Sequence, residues 1–443
     1  MGLGTATIGA GASVHNIIGK TSTGTLVESK EDYGDFIVEV LEKGCYEVDL
    51  NVLKGMSEKN TAFSRNVWDP ARKDRPREDL DYERLGKGKG KIPNQTRLDY
   101  ALNEGAWLFS GMGSSRAYDW GTNHKNRFFN EPWDPADIDM TWEDASRATK
   151  HAALFYGASL VGIAKLNPLW LYTEHFVPTR NNRERSIPVV RDSDRYEKTD
   201  EAYYIPESMN RVIAVAFEED YAGLSNSPGR LATAVSGTGY SRMAFTAGCI
   251  AEFIRFLGYR ALPAGNGVGM SIPIAIDAGL GELGRMGILV TPKYGPRVRI
   301  AKVITDMPLI PDSPIRFGVT EFCEVCKLCA EHCPSNSISE GMRTWKGNSI
   351  SNNPGIYKWY VKPDSCYDFN GFSCSNCKRV CPFTKPNNSW LHRMIRTVIN
   401  GRIGILDRVM VTLDQASGYG REIPDTEFWK QDGHKCITAR ESM

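Results

Sequence analysis

The sequence lacks several features that would assign a function directly. Its 54 Lys and Arg residues almost balance its 53 Asp and Glu residues, so no net field favours nucleic acid or an anionic membrane. No uninterrupted apolar run approaches the roughly 18 residues that a membrane-spanning helix needs. The Walker A, H-E-x-x-H and G-x-S-x-G motifs are absent, and the seven histidines do not cluster. These absences disfavour a nucleic-acid substrate, a membrane span, and P-loop, zinc-protease or serine-hydrolase chemistry.

Cysteine, in contrast, is abundant and grouped. The chain has 443 residues, which is long for a lone electron carrier and predicts a large core with a smaller module attached. Of its 11 cysteines, eight fall into two groups, and Cys45, Cys249 and Cys436 are scattered. The two groups are therefore the first candidates for chemistry.

The spacing of the two cysteine groups predicts two [4Fe–4S] clusters. The first group has the pattern C-x2-C-x2-C-x3-C-P and the second has C-x7-C-x2-C-x3-C-P. In ferredoxins with this spacing, the fourth cysteine of a run binds the other cluster. This exchange assigns one cluster to Cys323, Cys326, Cys329 and Cys381, and the other to Cys333, Cys366, Cys374 and Cys377. Zinc is the alternative, because C-x2-C pairs also build zinc sites, but eight thiolates with little local histidine favour iron–sulfur.

The pattern upstream of the cysteines predicts an α+β core. Residues 15–140 are polar, aromatic and weakly periodic, which indicates a wrapping unit of short helices and long loops. TWED at Thr141 predicts the start of a helix that runs to Tyr156. The charged stretch 167–209 is expected to be a surface insertion, and 334–365 a loop. The remaining apolar segments predict strands at ASLVGIAKL, 211–217, YRALPA, GILVTP and RVRIAKVIT, with helices at 241–257 and IPIAIDAGLGELG.

One glycine-rich loop indicates a ligand. The run Gly265-Asn266-Gly267-Val268-Gly269 would let the backbone approach a large ligand closely. It does not match G-x-G-x-x-G and lacks the βαβ setting of a dinucleotide site. Alone it is a weak indication.

Together these features resemble one known family. The clusters, the α+β core and the ordered elements TGYSRMA, LPAGNGVG, AIDAGLGELGR and PRVRIAKV resemble the corrinoid- and iron–sulfur-dependent reductive dehalogenases of organohalide respiration. The likeness runs from about Asp99 to the carboxyl end, and is greatest to enzymes acting on chloroform and chlorinated ethanes. It implies a pocket-closing unit over 15–140, a nitroreductase-like core binding a base-off corrinoid (cobalamin) over 141–317, a ferredoxin-like module over 318–390, and a docking segment over 391–443.

The resemblance also implies a catalytic trio and a corrinoid loop. Tyr240 in TGYS matches the family's catalytic tyrosine, Asn266 its pocket asparagine and Arg299 its supporting arginine. A guanidinium beside a phenol favours the phenolate, so Arg299 would make Tyr240 a usable acid. The loop Gly265, Asn266, Gly267, Val268 and Gly269 would lie against the corrinoid. Without the resemblance, a tyrosine just before a helix would be taken as ordinary packing.

Other aromatic and histidine residues are weaker candidates. Trp107, Phe109, Tyr118 and Trp120 could line a dry pocket for a small chlorocarbon, although aromatic residues usually serve packing. The cobalt-binding motif D-x-H-x-x-G is absent, and its nearest approach at His434 has Ile437 where the motif has glycine. His332, inside the first cysteine group, is expected to be a solvated neighbour. We therefore expect no histidine on the cobalt.

Location and partners follow from the resemblance alone. Residues 1–14 look like the remnant of an export signal, with a floppy cytosolic terminus as the even alternative. The family implies an exported enzyme on the outer face of the cytoplasmic membrane, held by a small integral-membrane anchor protein and supplied with electrons from the quinone pool. A homodimer is possible and no nucleic-acid partner is expected.

Two rival functions remain open at this stage. One is an epoxyqueuosine-reductase-type corrinoid enzyme that acts on tRNA. The other is a non-catalytic iron–sulfur electron-transfer subunit. Bound corrinoid would separate the second rival from an enzyme.

Overall fold

The molecule combines helices and sheets, as the sequence predicts. The computed structural model describes residues 25–27, 38–42, 44–73, 102, 106–107, 109–110, 117–121, 140–177, 185–192, 194–370, 374–384 and 404–430. The predictions for residues 1–14, His434 and Cys436 lie outside the described residues, and of the segment 391–443 the structure describes residues 404–430.

Thirteen strands lie in the described part of the chain, and they are β1 Thr25–Val27, β2 Val38–Val40, β3 Leu160–Lys165, β4 Glu174–Val177, β5 Arg185–Val190, β6 Glu197–Lys198, β7 Tyr203–Tyr204, β8 Arg211–Glu218, β9 Ala261–Ala264, β10 Glu282–Leu283, β11 Leu289–Val290, β12 Val298–Thr305 and β13 Ile315–Arg316. The α-helices described are α1 Ala62–Trp68, α2 Pro70–Lys73, α3 Trp142–Phe155, α4 Tyr221–Ser225, α5 Arg230–Phe256, α6 Ser271–Asp277, α7 Val319–Cys326, α8 Leu328–Glu331, α9 Pro363–Asn370, α10 Asn376–Arg379, α11 Gly404–Ala416 and α12 Asp425–Phe428. Short 3-10 turns occupy Glu58–Asn60, Pro168–Trp170 and Pro382–Thr384.

A four-stranded antiparallel sheet, in the order β3-β8-β12-β9, forms the centre of the core. Successive side chains of β8 point to opposite faces, so Val212 and Ala214 join one core layer while Ile213 and Phe217 join the other. In β12, Arg299 pairs with Phe217. Both faces of this sheet are covered, which explains why its strands are almost continuously apolar.

Helices α3 and α5 cover one face of the central sheet, and α6 with a second sheet covers the other. Helix α3 begins as predicted, because the Thr141 hydroxyl accepts a hydrogen bond from the Asp144 backbone N–H at 3.1 Å. Helix α6 ends at Asp277 instead of running on through GLGELG. Gly279, just beyond it, has a φ of +74°, which favours glycine.

The segment 167–209 differs from the expected surface insertion. It carries the second sheet, in the order β4-β5-β7-β6, and it buries Trp170, Leu171 and Ile205 in the main core. Its short apolar runs, PLWLY and IPVV, are embedded in a segment that is otherwise rich in charged residues. Most of its described charged residues, among them Arg185, Lys198 and Asp200, are exposed, while Trp170, Leu171 and Ile205 complete the core layer beneath α6.

Helix α5 also differs from the sequence prediction, because it begins at Arg230 rather than Ser241. Its first half, LATAVSGTGY, contains glycine, serine and threonine, which have low helix propensity and hide the helix from a pattern search. The glycines serve packing, since a Cβ at Gly237 would lie 2.5 Å from Trp107 and one at Gly239 would lie 2.6 Å from Arg299 Cγ. Tyr240 therefore lies inside a long helix rather than before one.

A second core lies under the cysteine-rich segment, which we define as residues 318–384. Phe322 packs edge-on against Phe383 with ring centroids 5.4 Å apart, and Trp359 is buried beside them. Between 334 and 362 the described residues form no helix or strand, as predicted, but α9 begins at Pro363, inside the predicted loop 334–365. No described helix has the combination of length and apolar character that would let it cross a bilayer.

Arg285 joins this second core to the loop. Its side chain is 2% exposed and donates hydrogen bonds to the carbonyl oxygens of Cys323, Ser339 and Gly341 at 2.6 to 3.0 Å. Its guanidinium also lies 4.4 Å from the ring centroid of Trp359. One buried cation thus satisfies three backbone acceptors from two separate segments of the chain.

We expect Arg285→Met to lower the free energy of unfolding by about 3 kcal/mol, because it removes both guanidinium donors from the buried Cys323 carbonyl and the contact with the Trp359 ring. Urea unfolding under anaerobic conditions measures the effect. The matched control is Arg343→Met, which removes a partly exposed pair with Glu324 and should cost about 1 kcal/mol or less. Equal urea midpoints for the two variants would contradict this role of Arg285.

Candidate active site

Tyr240 lies within α5, which packs against β12 and β9 of the central sheet. Its half-buried phenol oxygen accepts a hydrogen bond from Asn266 Nδ2 at 3.0 Å and one from Arg299 Nη1 at 3.3 Å. The Trp107 ring stacks on the Tyr240 ring, with centroids 5.4 Å apart and planes 29° apart. The structure thus brings the three predicted catalytic residues together from a helix, a loop and a strand.

The position of Arg299 follows from the register of the sheet. Arg299 lies on the face of β12 that α5 covers. Because Gly239 has no side chain, the Arg299 side chain can pass close to α5 at this point. Its guanidinium carbon is 4.7 Å from the centroid of the Tyr240 ring, and its Nη2 donates to Ser236 Oγ at 2.8 Å. A fixed cation beside the phenol oxygen would stabilise the negative charge that remains when the proton leaves.

Two buried charged residues at this site were not found from the sequence. Glu219 Oε1 accepts from Arg299 Nε at 2.8 Å, and its Oε2 pairs with Lys378 Nζ. Burial alone would raise the pKa of Glu219, but the charges of Lys378 and Arg299 and their hydrogen bonds hold it below its usual value. Glu219 is therefore ionised. No local signal marks it, because it follows a strand within the ordinary acidic run EED.

The glycine-rich loop Gly265–Gly269 follows strand β9 and packs closely against its neighbours. A Cβ at Gly265 would lie 2.7 Å from the Tyr118 hydroxyl, and one at Gly269 would lie 2.6 Å from the Trp170 carbonyl oxygen. Val268 has a φ of +69°, which is unusual for a β-branched residue. This is a tightly held cradle rather than a flexible turn.

Lys302 fixes the loop from beneath and was likewise not predicted. It is three residues after Arg299 in β12 and so points to the opposite face. Its ammonium group donates to the Gly265 carbonyl and, at 3.0 Å, to Ser271 Oγ. Burial lowers the pKa of Lys302 to about 7, against the opposing effect of Glu58.

The predicted pocket aromatics have different positions. Trp107 and Tyr118 lie at the site, against Tyr240 and Gly265 respectively. Trp120 stacks on Tyr196 with ring centroids 5.5 Å apart and is buried in the main core. Phe109 is 60% exposed, and its backbone N–H donates to Ser241 Oγ at 3.2 Å.

The cysteines of the first predicted set lie near one another. Burial raises the pKa of the Cys381 thiol most strongly. The charges of Cys323, Cys326 and Cys329 raise it further. Burial and the charge of Cys323 likewise raise the pKa of Cys326 to about 12. Cys381 thus interacts with thiols of the earlier run, more than 50 residues away in sequence.

The second set shows the corresponding pattern. The pKa of the Cys366 thiol is raised to about 11, mainly by burial and further by the charges of Cys374 and Cys333. Burial raises the pKa of Cys377 to about 12, with Cys374, Cys366 and Cys333 contributing in that order. Cys329 of the first set also interacts with Cys377, so the two sets lie side by side.

None of the ten cysteines in the described ranges forms a disulfide. In the same ranges, no three His, Cys, Asp or Glu side chains converge as they would around a single metal ion. Of the described histidines, His332 contacts the Leu328 carbonyl oxygen at 3.0 Å and His175 pairs with Glu58.

Comparison with known proteins gives a consistent result. The chain is 37% identical over 370 residues to the tetrachloroethene reductive dehalogenase of Sulfurospirillum multivorans, a match that covers 77% of this chain and 72% of that protein. It is 36% identical over 388 residues to the tetrachloroethene reductive dehalogenase of Desulfitobacterium hafniense, covering 74% and 69%. No family model matches the chain.

The fold agrees with these relatives. The solved structure of the catabolic reductive dehalogenase NpRdhA superposes with a TM-score of 0.61 at 20% identity, over 87% of this chain. The match covers 49% of that chain, so this protein spans about half the length of the solved structures it resembles.

The structure thus combines a phenol with a cation beside it and two neighbouring sets of thiols. The chain belongs to the reductive dehalogenase family, and it is an oxidoreductase.

Proposed function

We propose that this protein replaces C–Cl by C–H in small chlorinated hydrocarbons, with Tyr240 as the proton donor. The observation that carries the proposal is the pair of hydrogen bonds from Asn266 and Arg299 to the Tyr240 phenol oxygen. The reaction consumes two electrons and one proton and releases chloride. Tyr240 is the only member of this trio that can give a proton and be left with a charge that its two neighbours stabilise.

The roles of the trio follow from its contacts. Arg299 stabilises the phenolate that forms when Tyr240 gives up its proton, and Asn266 holds the phenol oxygen from the side of the loop. Trp107 covers one face of the phenol ring and so limits access of water to it. The half-buried position of Tyr240 leaves room for a small substrate to approach its hydroxyl.

The loop Gly265–Gly269, whose Asn266 reaches the Tyr240 hydroxyl, is proposed as the corrinoid contact of a nitroreductase-like core, a role that rests on the family resemblance. A base-off corrinoid bound there would supply the electron pair that breaks the carbon–chlorine bond. The absence of a complete histidine-donor motif supports a cobalt without a histidine ligand. Gly265 and Gly269 would take no side chain without a shift of Tyr118 or Trp170.

The two cysteine sets fit two [4Fe–4S] clusters of a ferredoxin-like module. Thiols that raise one another's pKa values need positive charge to be held as thiolates, and a cluster supplies it. A cubane also holds its four thiolates farther apart than a single ion would, which agrees with sets that do not converge on one point. The clusters would deliver electrons one at a time.

The substrate class is small chlorinated hydrocarbons. The names of the relatives favour chlorinated ethenes. The likeness found in the sequence favours chloroform and chlorinated ethanes, and it stays a prediction. Export to the outer face of the cytoplasmic membrane, a small membrane anchor protein, electrons from the quinone pool and a homodimer are likewise proposals, which rest on the family resemblance.

The test is anaerobic reconstitution with cobalamin, iron and sulfide, followed by turnover with reduced methyl viologen. We expect about one cobalt and about eight iron atoms per chain, and release of chloride from chloroethenes, chloroethanes or chloromethanes. Iron near four per chain, or zinc in the cysteine sites, would contradict the two clusters. Absence of bound corrinoid would favour an electron-transfer subunit, and turnover of epoxyqueuosine tRNA alone would favour the epoxyqueuosine reductase alternative.

A further inference from the structure

Glu219 occupies an unusual position, directly after strand β8 and beneath the site. Its side chain is fully buried, yet its carboxylate is ionised between two cations. A buried ionised carboxylate needs partners for both oxygens, and here both partners come from other parts of the chain. They are Arg299, 80 residues further on, and Lys378, 159 residues further on.

The Glu219 contact determines how Arg299 is oriented. A planar guanidinium has donors that point in fixed directions. Because Nε is directed at Glu219 Oε1 at 2.8 Å, Nη2 meets Ser236 and Nη1 meets the Tyr240 oxygen. Removing the carboxylate would free the guanidinium to rotate away from the phenol.

The second oxygen of Glu219 connects this arrangement to the cysteine-rich segment. Lys378 lies in α10 directly after Cys377, and its side chain is 11% exposed. The backbone reinforces the connection, because Arg297 donates to the Glu219 carbonyl at 2.9 Å and to the Thr384 carbonyl at 2.8 Å. Both links join the end of β8 to the segment that carries Cys374, Cys377 and Cys381.

We propose that Glu219 is a positioning residue, which aims Arg299 at Tyr240 and joins this pair through Lys378 to the cysteine-rich segment. The proposal rests on the proposed role of Tyr240 as proton donor. Glu219 itself touches neither substrate nor reacting atoms. It acts by holding one guanidinium and by linking the proton donor to the electron-supplying segment in one rigid unit.

The decisive variant is Glu219→Gln, which keeps the size of the side chain and removes its charge. We expect kcat to fall about tenfold to a hundredfold, as for a misplaced catalytic group, with KM within about twofold and with unchanged cobalt and iron content. Glu219→Asp keeps the charge and should recover part of the loss. The matched control is Glu218→Gln, which alters the neighbouring carboxylate that pairs with Arg297 and should leave kcat within about twofold.

A double-mutant cycle separates positioning from general damage. If Glu219 acts through Tyr240, adding Glu219→Gln to a Tyr240→Phe enzyme should lower kcat by less than about twofold further. The same factor of loss in both backgrounds would overturn the proposal.

A structural readout keeps the proposal testable whatever the activity. Crystal structures of the cofactor-loaded variants should show Arg299 withdrawn from the Tyr240 oxygen in Glu219→Gln and in place in Glu218→Gln. An unmoved guanidinium overturns the proposal. Full turnover by Tyr240→Phe would instead overturn the donor role, while Glu219 would still be judged by the position of Arg299. If Glu219→Gln does not fold, Glu219→Asp decides by the same measurements.

Discussion

Tyr240→Phe should lower kcat at least about a hundredfold, while KM, cobalt content and iron content stay close to those of the unaltered enzyme. The exchange removes the phenol proton but keeps the ring that stacks on Trp107. General-acid contributions are typically about 10²- to 10⁴-fold, so the loss should be large unless water takes over the proton transfer. Steady-state dechlorination with reduced methyl viologen, with metal analysis of the same sample, measures it.

Tyr118→Phe is the matched control for this prediction. Its hydroxyl lies near the same loop, but burial and then the charge of Tyr240 raise the pKa of Tyr118, which makes it a poor acid at neutral pH. Its loss should change kcat by less than about tenfold. A Tyr240→Phe enzyme with near-normal turnover and full cofactor occupancy would show that water or another residue gives the proton.

The second large effect is expected at Cys381. Cys381→Ala should abolish the cluster held by Cys323, Cys326 and Cys329 and leave the cluster of its sequence neighbours Cys374 and Cys377. The reason is that the Cys381 thiol interacts with the thiols of the first run. Iron content should fall to about half, the EPR spectrum of the reduced protein should show one remaining cluster, and turnover should be largely lost because the electron path is broken.

Cys333→Ala provides the reciprocal variant. It should remove the cluster of Cys366, Cys374 and Cys377, because the Cys366 thiol interacts with Cys374 and Cys333. Alanine is preferred to serine in both variants, since a serine oxygen can still act as a ligand. Loss of the Cys374–Cys377 cluster in the Cys381 variant would contradict the exchange of fourth ligands.

Much of the fold could be predicted because its signals are local. The start of α3 follows from a capping threonine, and the strand β8 follows from an apolar run between polar residues. Where local signals conflict with packing, the predictions failed. The first half of α5 has low helix propensity but forms because its glycines let Trp107 and Arg299 pack against it. The small sheet over 167–209 joins the core through short apolar runs, PLWLY and IPVV, inside a segment that is otherwise rich in charged residues.

The sequence by itself determined the identity and spacing of the cysteines, because cluster ligands lie within short runs whose spacing is fixed by the geometry of the metal group. It also supplied Tyr240, Asn266 and Arg299, through the likeness to a family. Only the tertiary structure decided what holds these residues. Residues 219, 299 and 378 meet because strand pairing places β12 beside β8 and α10 packs near the end of β8. Such contacts join distant parts of the chain, and they are stabilised by packing and by the pairing of buried charges. No local pattern of residues predicts them.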